Sequence, residues 1–428
     1  MRPERVIFFL IAFTLILLIH YLVYRTFRNF LLRGSFKTFT VNLITRIPFT
    51  LLLLPYIFFM IMRFDLEGLP SWFNRYIFIP FIAFQGAVVF IGIYILAGKI
   101  IKMPFLLVRF IIGRVNFLKE KYMKLRERKQ AVAFDKSRRK FITAASSAVA
   151  GYAFIGAGLG ALNKDAFVME EKRIRLDRLP DEMKGLTIAL ISDVHSGPFM
   201  EYGQMKHYCD VINDMRPDLI FIPGDITNTK KTESKEFASA FRDLKAKYGI
   251  FATMGNHDYF SDPAYITDVL RNESPVTVLR NGFSGVKING KDLMIIGTDD
   301  TRDSGNGSNH ILADYIRETI GSSESYLRDN NIDVMAVPKL LLAHKPYMFE
   351  EVSGLNFDIM FSGHTHGGQI VFLKYADLNV SIAASVSKYI SGLYENNGRK
   401  MYVSRGLGTV GLPIRLNCPP EITKITLV

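Results

Sequence analysis

Residues 186–195 read Leu186-Thr187-Ile188-Ala189-Leu190-Ile191-Ser192-Asp193-Val194-His195, an apolar run of strand length that ends on a carboxylate and an imidazole two residues apart. A run this short, rich in branched residues and bounded by polar ones, is a buried strand candidate. The same pattern recurs downstream. Leu219-Ile220-Phe221-Ile222 runs into Gly224-Asp225, and Gly249-Ile250-Phe251-Ala252-Thr253-Met254 runs into Gly255-Asn256-His257-Asp258. Lys339 to Ala343 leads to His344, Asp358 to Phe361 leads to Gly363-His364-Thr365-His366, and Asp292 to Ile296 is one more strand candidate. Gln204 to Met215 reads as a helix between the first two strands, which makes a β-α-β unit. Ligands of α/β folds gather beyond the carboxyl ends of the strands, where these motifs fall.

The residue types suit metal chemistry. Five of the eight histidines lie in these motifs, together with Asp193, Asp225 and Asn256. Two hard cations about 3.5–4 Å apart need a set of this size, including one carboxylate able to bridge. Oxygen and imidazole ligands suit Mn, Fe, Zn or similar ions, whereas a structural zinc would call for clustered cysteines. The only cysteines, Cys209 and Cys418, are far apart and form neither a disulfide framework nor a metal motif. A lone Asp-x-His would be weak evidence; the complete set in this order, each part at a strand end, is strong.

This order of Asp-x-His, Gly-Asp, Gly-Asn-His-Asp, His and Gly-His-x-His resembles that of the calcineurin-like metallophosphoesterases over roughly residues 170–428, with every ligand position filled. The resemblance implies an α/β fold, a four-layer αββα sandwich, and hydrolysis of a phosphoric ester by water activated between two divalent metal ions. It implies Asp193, His195 and His366 at the first metal, Asn256, His344 and His364 at the second, and Asp225 bridging both. His257 takes the position of the family's non-ligand catalytic histidine, placed to protonate the leaving alkoxide, with Asp258 orienting it. The runs Asp193-Val194-His195-Ser196-Gly197, Asp299-Asp300, Ser404-Arg405-Gly406-Leu407-Gly408, Leu412-Pro413-Ile414-Arg415 and Cys418-Pro419-Pro420-Glu421-Ile422 look like the membrane-attached bacterial branch that often carries a twin-arginine signal. Arg405 has two readings that stay open, a fork that clamps a substrate phosphate and a structural ion pair. The stretch 301–338, which includes a helical Ile311 to Ile320, is long for a connection and is read as a lid. Of the other histidines, His310 in that stretch is expected to be solvated, and His207 and His20 to be structural.

Outward from this region the chain changes character. Hydrophobic residues make up 49% of the 428, with a mean hydropathy of +0.16, high for a soluble protein. The excess lies in apolar runs at 6–24, 47–62, 77–97 and 141–162, each near the roughly 20 residues a helix needs to cross a bilayer. The second run requires Arg46 to snorkel toward an interface. Residues 103–118 are apolar but interrupted by Arg109 and Arg114, and read as a helix on the membrane surface. The expected division is a membrane region at 1–118 with three spans and that surface helix, a basic cytoplasmic linker at 119–140, a twin-arginine-like transmembrane segment at 141–162, and the phosphoesterase domain at 170–428.

Charge follows the same division. Residues 1–97 carry 9 basic and 3 acidic residues, 98–140 carry 14 and 3, and 141–428 carry 30 and 34. The formal charge of +13 therefore belongs to the membrane part and speaks against nucleic acid as a partner of the rest. The acid-free loop at 25–37 and the basic run from Lys99 to Lys140 should be cytoplasmic by the positive-inside rule. That leaves the N-terminus and residues 163–428 outside, in a multi-pass protein of a bacterial inner membrane. Ser137-Arg138-Arg139-Lys140-Phe141-Ile142 before an Ala/Gly/Ser-rich run resembles a twin-arginine signal, which makes the twin-arginine export machinery an expected partner. The expected function is an exported, membrane-anchored phosphoesterase acting on a phosphodiester, pyrophosphate or phosphomonoester, with a lipid or cell-envelope phosphate as the favoured substrate. A UDP-2,3-diacylglucosamine pyrophosphatase-like enzyme of lipid A synthesis, whose substrate would be cytoplasmic, and a metal-binding sensor without catalysis are the alternatives.

Overall fold

The computed structural model describes residues 3–34, 36–51, 53–56, 70–114, 116–126, 129–301, 307–375, 378–385 and 387–428. They divide into two compact units, Met1–Leu159 and Gly160–Val428.

The second unit is built on two six-stranded sheets. The first has the order β1-β14-β2-β3-β4-β5, from β1 (Val168–Ile174), β2 (Thr187–Leu190), β3 (Leu219–Pro223), β4 (Ile250–Thr253), β5 (Thr277–Val278) and β14 (Glu421–Leu427). The second has the order β12-β13-β9-β8-β7-β6, from β6 (Gly282–Ile288), β7 (Lys291–Gly297), β8 (Lys339–Leu342), β9 (Ile359–Ser362), β12 (Gly392–Asn396) and β13 (Arg399–Val403), while β10 (Val371–Tyr375) and β11 (Leu378–Ser381) form a separate antiparallel pair. Within them β2-β3-β4-β5 and β7-β8-β9-β13 run parallel, while β14 joins β2 antiparallel and β6-β7 and β12-β13 are antiparallel pairs.

The two-residue alternation of a strand sorts each run into two buried faces. On β3, Leu219 and Phe221 join a core that also contains Ile359 and Phe361 of β9, and the Phe221 and Phe361 rings meet with centroids 5.2 Å apart. Ile220 and Ile222 pack instead with Met205, Tyr208 and Phe237 of the helices Tyr202–Asp214 and Glu233–Ala240. On β9, Met360 packs with Leu312, Ile316 and Ile320 of the helix Gly307–Asp329. Helix, sheet, sheet and helix thus form the four expected layers. Each large aliphatic or aromatic side chain buried this way contributes about 1.5–3 kcal/mol of transfer free energy.

That last helix corrects the reading of 301–338 as a lid. Most of the stretch is the helix Gly307–Asp329, fixed to the outer face of the second sheet by its apolar side, and residues 302–306 lie outside the described residues.

In the first unit, helices span Pro3–Leu32, Thr38–Leu51, Ile79–Arg114, Asn116–Arg126 and Lys129–Leu162. Four helical segments among the described residues are long and apolar enough to cross a membrane, Phe13–Leu32, Thr38–Tyr56, Ser71–Arg114 and Lys140–Leu162. The apolar run 47–62 continues into 57–62, outside the described residues. Residues 103–114 continue, through Pro104, the helix that starts at Ile79 and ends at Arg114. His20 is buried, with Nε2 2.5 Å from Gln85 Oε1. The twin-arginine-like Ser137–Ile142 lies inside the helix Lys129–Leu162.

Candidate metal centre

Parallel strands deliver the motif residues to one place. The turns after β2, β3 and β4 carry Asp193 and His195, Asp225, and Asn256; those after β8 and β9 carry His344, and His364 and His366. Ligand atoms of Asp193, His195 and His366 lie within 4.8 Å of one another, and so do those of Asp225, His344 and His364. His195, Asp225 and His257 form a third such group, which joins the other two. The approach is too close for side chains on the intervening turns. A Cβ on Gly255 would sit 2.1 Å from Asp225 Oδ1, and one on Gly363 would sit 2.1 Å from Asp193 Oδ2.

Backbone strain is concentrated at the same residues. Asp193, His195, Asp225, His364 and His366 all have φ between 49° and 72°, a region rare for residues other than glycine. Each such conformation costs on the order of 1–3 kcal/mol and persists only where the surroundings enforce it. Here the enforcing contacts are visible. Leu407 N and Gly408 N donate to the carbonyls of Ser192 and Asp193 at 2.9 and 2.7 Å. Arg415 is buried and donates in turn to the carbonyls of Arg405 (2.9 Å), Gly406 (3.1 Å) and Gly408 (3.1 Å), which fixes that loop.

The electrostatics leave nitrogen lone pairs in a buried space. Burial, with the cationic character of His257, His344 and Arg415 nearby, pushes His195 down to about 3 against the pull of Asp225. Burial likewise holds His364 and His366 well below the ordinary imidazole value. The Nε2 atoms of His195 and His366 lie 3.1 Å apart, and His195 Nδ1 and Asn256 Oδ1 are buried without a hydrogen-bond partner. His344 Nδ1 donates to the Pro223 carbonyl at 2.8 Å, so its Nε2 faces the cluster, 3.2 Å from Asp225 Oδ2 but out of hydrogen-bond alignment. Burial works against a proton on His344, but the carboxylates of Asp225, Asp193 and Asp300 outweigh it and raise the group to about 10. Asp225, although buried, is held well below the carboxylate range by His344, His195 and His257. Burial and the charge of Asp225 lift Asp193 to about 6, although Ser192 Oγ (2.6 Å) and His364 N (2.8 Å) donate to it. The neutral imidazoles of His195, His364 and His366, two crowded carboxylates and orphaned acceptor atoms are what a divalent cation satisfies, so the donor set fits the metal ions that its chemistry implies.

The family model of the calcineurin-like phosphoesterases matches residues 186–368. Over 298 residues the chain is 30% identical to an uncharacterized metallophosphoesterase, YkuE, of Bacillus subtilis (strain 168), covering 68% of this chain and 97% of that protein. The chain belongs to the calcineurin-like metallophosphoesterases. It is also 30% identical over 280 residues to an uncharacterized metallophosphoesterase of Aquifex aeolicus (strain VF5), covering 64% of this chain and 98% of that protein. A transmembrane protein with metallophosphoesterase domain of Danio rerio is 26% identical over 325 residues, covering 74% of this chain and 69% of that protein. This metallophosphoesterase is accordingly a hydrolase of phosphoric ester bonds, with N-terminal apolar helices of membrane-spanning length.

Two sequence-based readings of its site change. Asp258 does not orient His257. Its Oδ2 accepts from Gly255 N (2.9 Å) and Ile226 N (3.2 Å), and its Oδ1 from Thr227 N (2.9 Å) and Thr227 Oγ1 (3.0 Å). Both oxygens tie the Asp225 turn to the His257 turn. The His257 ring is instead set by the carbonyl of Asn228, 2.5 Å from its Nδ1, and its backbone N–H donates to Asp225 Oδ1 at 2.9 Å. Sequence gives no sign of this partner, because a backbone carbonyl belongs to every residue type.

Arg405, for its part, is a structural ion pair. Its Nε lies 2.6 Å from Glu421 Oε2 and its Nη2 donates to Glu170 Oε1 at 2.8 Å, so two carboxylates already compensate its charge, and it does not line the pocket over the metal cluster. The Asp299-Asp300 pair sits behind the ligands: Asp300 accepts from Lys345 Nζ at 2.7 Å, and Asp299 from Tyr259 Oη and Arg280 Nε at 2.9 and 3.0 Å. His310 is exposed, 3.4 Å from Glu351, and His207 is exposed on its helix.

Proposed function

We propose that this chain is a membrane-anchored, two-metal phosphoesterase whose catalytic unit lies outside the cytoplasm. The observation that carries the two-metal reading is the pair of buried triads, Asp193/His195/His366 and Asp225/His344/His364, with Asn256 Oδ1 unpartnered beside them. In this reading the first triad would hold one divalent ion (Mn, Fe, Zn or similar), Asn256, His344 and His364 would hold the second, and Asp225 would serve both.

When bound, such ions neutralise phosphate oxygens and lower the pKa of a water that attacks phosphorus. The chain's own residues supply the rest. His344 is kept in register by the Pro223 carbonyl, and Asp225 is fixed by the His257 N–H, so the ligands are oriented before any cation arrives. His257, with Nδ1 committed to Asn228, presents Nε2 to the pocket as the proton donor to the leaving oxygen. The full-length protein should hydrolyse bis-p-nitrophenyl phosphate or p-nitrophenyl phosphate with Mn²⁺ and not with a chelator. Equal rates in the two conditions would refute the metal-dependent reading.

Membrane anchoring is supported by the four apolar helical segments and by the name of the Danio rerio relative. The outside location is supported by the basic segments at 25–37 and 99–140 and by the twin-arginine-like Ser137–Ile142, on which the bacterial branch and export by that route are also proposed. Both native cysteines are buried. A cysteine introduced at exposed Arg175 and labelled on intact cells by a membrane-impermeant maleimide would support the outside location; labelling only after lysis would invert it. An anchored enzyme meets membrane substrates at high effective concentration, which favours a lipid or cell-envelope phosphate.

A further inference from the structure

The pocket over the metal centre, about 320 Å³, is lined by Asp225, Asn256, His257, His364 and His366 of the cluster and by four aliphatic side chains, Ile370, Ile382, Val410 and Leu412. The other two polar side chains of the lining beyond the cluster are already committed. Thr365 Oγ1 donates to the Ile390 carbonyl at 2.6 Å. The Gln369 amide donates to the carbonyls of Val410 and Leu412 at 3.1 and 2.8 Å and accepts from Val410 N at 2.8 Å. Gln369, itself at φ 53°, thereby fastens the loop bearing Val410 and Leu412 to the turn bearing His364 and His366. The turn after Ile382 is likewise fixed, by Ser385 Oγ on the Ile382 carbonyl at 2.7 Å.

This is a built wall. Its polar groups are spent on holding aliphatic side chains in place. Ile382 is 73% exposed. A single exposed aliphatic residue needs no explanation, but one that joins three others in lining the pocket of the reacting centre does. A sugar or nucleoside laid against this wall would lose water from its hydroxyls without gaining partners, whereas a hydrocarbon chain loses nothing there.

Resting on the phosphoesterase reading of the site, we infer that the organic group lying against Ile370, Ile382, Val410 and Leu412 is an aliphatic chain, so that the substrate is an amphiphilic phosphate ester. Such a molecule can come from the bilayer or from solution.

The test uses the full-length protein in lipid nanodiscs with Mn²⁺ and a series of p-nitrophenyl alkyl phosphodiesters from methyl to octyl. The double variant Ile382→Ser/Leu412→Ser, in the same discs, controls for partition of the esters into lipid. A rise in kcat/KM of about tenfold or more from methyl to octyl, flattened in the variant, is expected from burying part of the chain. Ile382→Ser alone, at a position open to solvent, should flatten the series in part without threatening the fold. Equal rates along the series, or a rise that survives in the variants, would overturn the aliphatic wall while leaving the phosphoesterase intact. Calorimetric binding of octylphosphonate against methylphosphonate gives a readout independent of turnover. At least tenfold tighter octyl binding, lost in the variant, supports the wall even if no ester is hydrolysed; equal binding overturns it. Hydrolysis of phosphatidic acid in the discs would place the source in the bilayer, and hydrolysis of the soluble octyl ester alone would place it in solution.

Discussion

Asp225 and Asp258 are both buried aspartates on turns after neighbouring parallel strands, and each is part of a recognisable motif, yet they do opposite things. Asp225 is surrounded by imidazoles and is held well below the carboxylate range. Asp258 sees three backbone N–H groups and a threonine hydroxyl, and burial together with the charge of Asp225 pushes it up to about 6. One is aimed at a ligand and the other stitches two turns together. A motif shows that a carboxylate is required at a position; its partners decide what for.

The widest separation of the two comes from Asp225→Asn. It should reduce turnover to background and weaken metal binding, and lower the thermal transition of the metal-free protein by less than an Asp258 variant does, since Asn keeps an acceptor for the His257 N–H but no longer compensates the His344 proton. A Tm fall matching that of an Asp258 variant would break the contrast. Next in size, His257→Ala should lower kcat by about 10²–10⁴-fold with metal content retained, as expected for loss of a general acid. Loss of metal in that variant would make His257 a ligand instead.

Stability should fall in the opposite pattern. Asp258→Ala leaves the buried N–H groups of Gly255, Ile226 and Thr227 without acceptors, at a cost of about 3 kcal/mol or more. Arg405→Ala leaves Glu421 buried without its cation, at a cost of about 3–5 kcal/mol, with kcat/KM of the folded fraction within a few-fold of normal. Denaturant unfolding and single-turnover assays on the same preparations check both. A large KM increase in Arg405→Ala with unchanged stability would restore the phosphate-clamp reading.

The smallest effect is on pH. In the cation-free site His344 is raised to about 10, so at pH 7 it carries a proton that must leave before Nε2 can bind a cation. Metal affinity should therefore rise with pH, by about tenfold per unit near neutrality, and more steeply below about pH 6, where Asp193 also becomes protonated. Calorimetry in buffers of different ionisation enthalpy counts that proton directly.

The residues that cluster were legible in sequence because few side chains bind hard cations, and because β2, β3, β4, β8 and β9 are short apolar runs that each end on a motif. What was not legible depends on long-range contacts. Arg405 and its partner Glu170 are 235 residues apart, so spacing could not decide between ion pair and clamp. The helix Gly307–Asp329 was recognisable as helix from Ile311, but its burial against the second sheet depends on Met294 and Met360 on other strands. Asn228 acts through a carbonyl, and Arg415, visible in its run, acts on backbone carbonyls and on His366 Nδ1, all brought near by folding. The last strand, β14, lies between β1 and β2 in the sheet, which no local pattern indicates.

The most direct test is metal stoichiometry by inductively coupled plasma mass spectrometry, paired with ester hydrolysis, on the full-length protein loaded with Mn²⁺ beside Asp225→Asn. Two ions per chain, with turnover in the wild type and neither in the variant, is the expected result. Chelator-resistant turnover, or full metal content and activity in Asp225→Asn, would contradict a hydrolytic centre shared at Asp225.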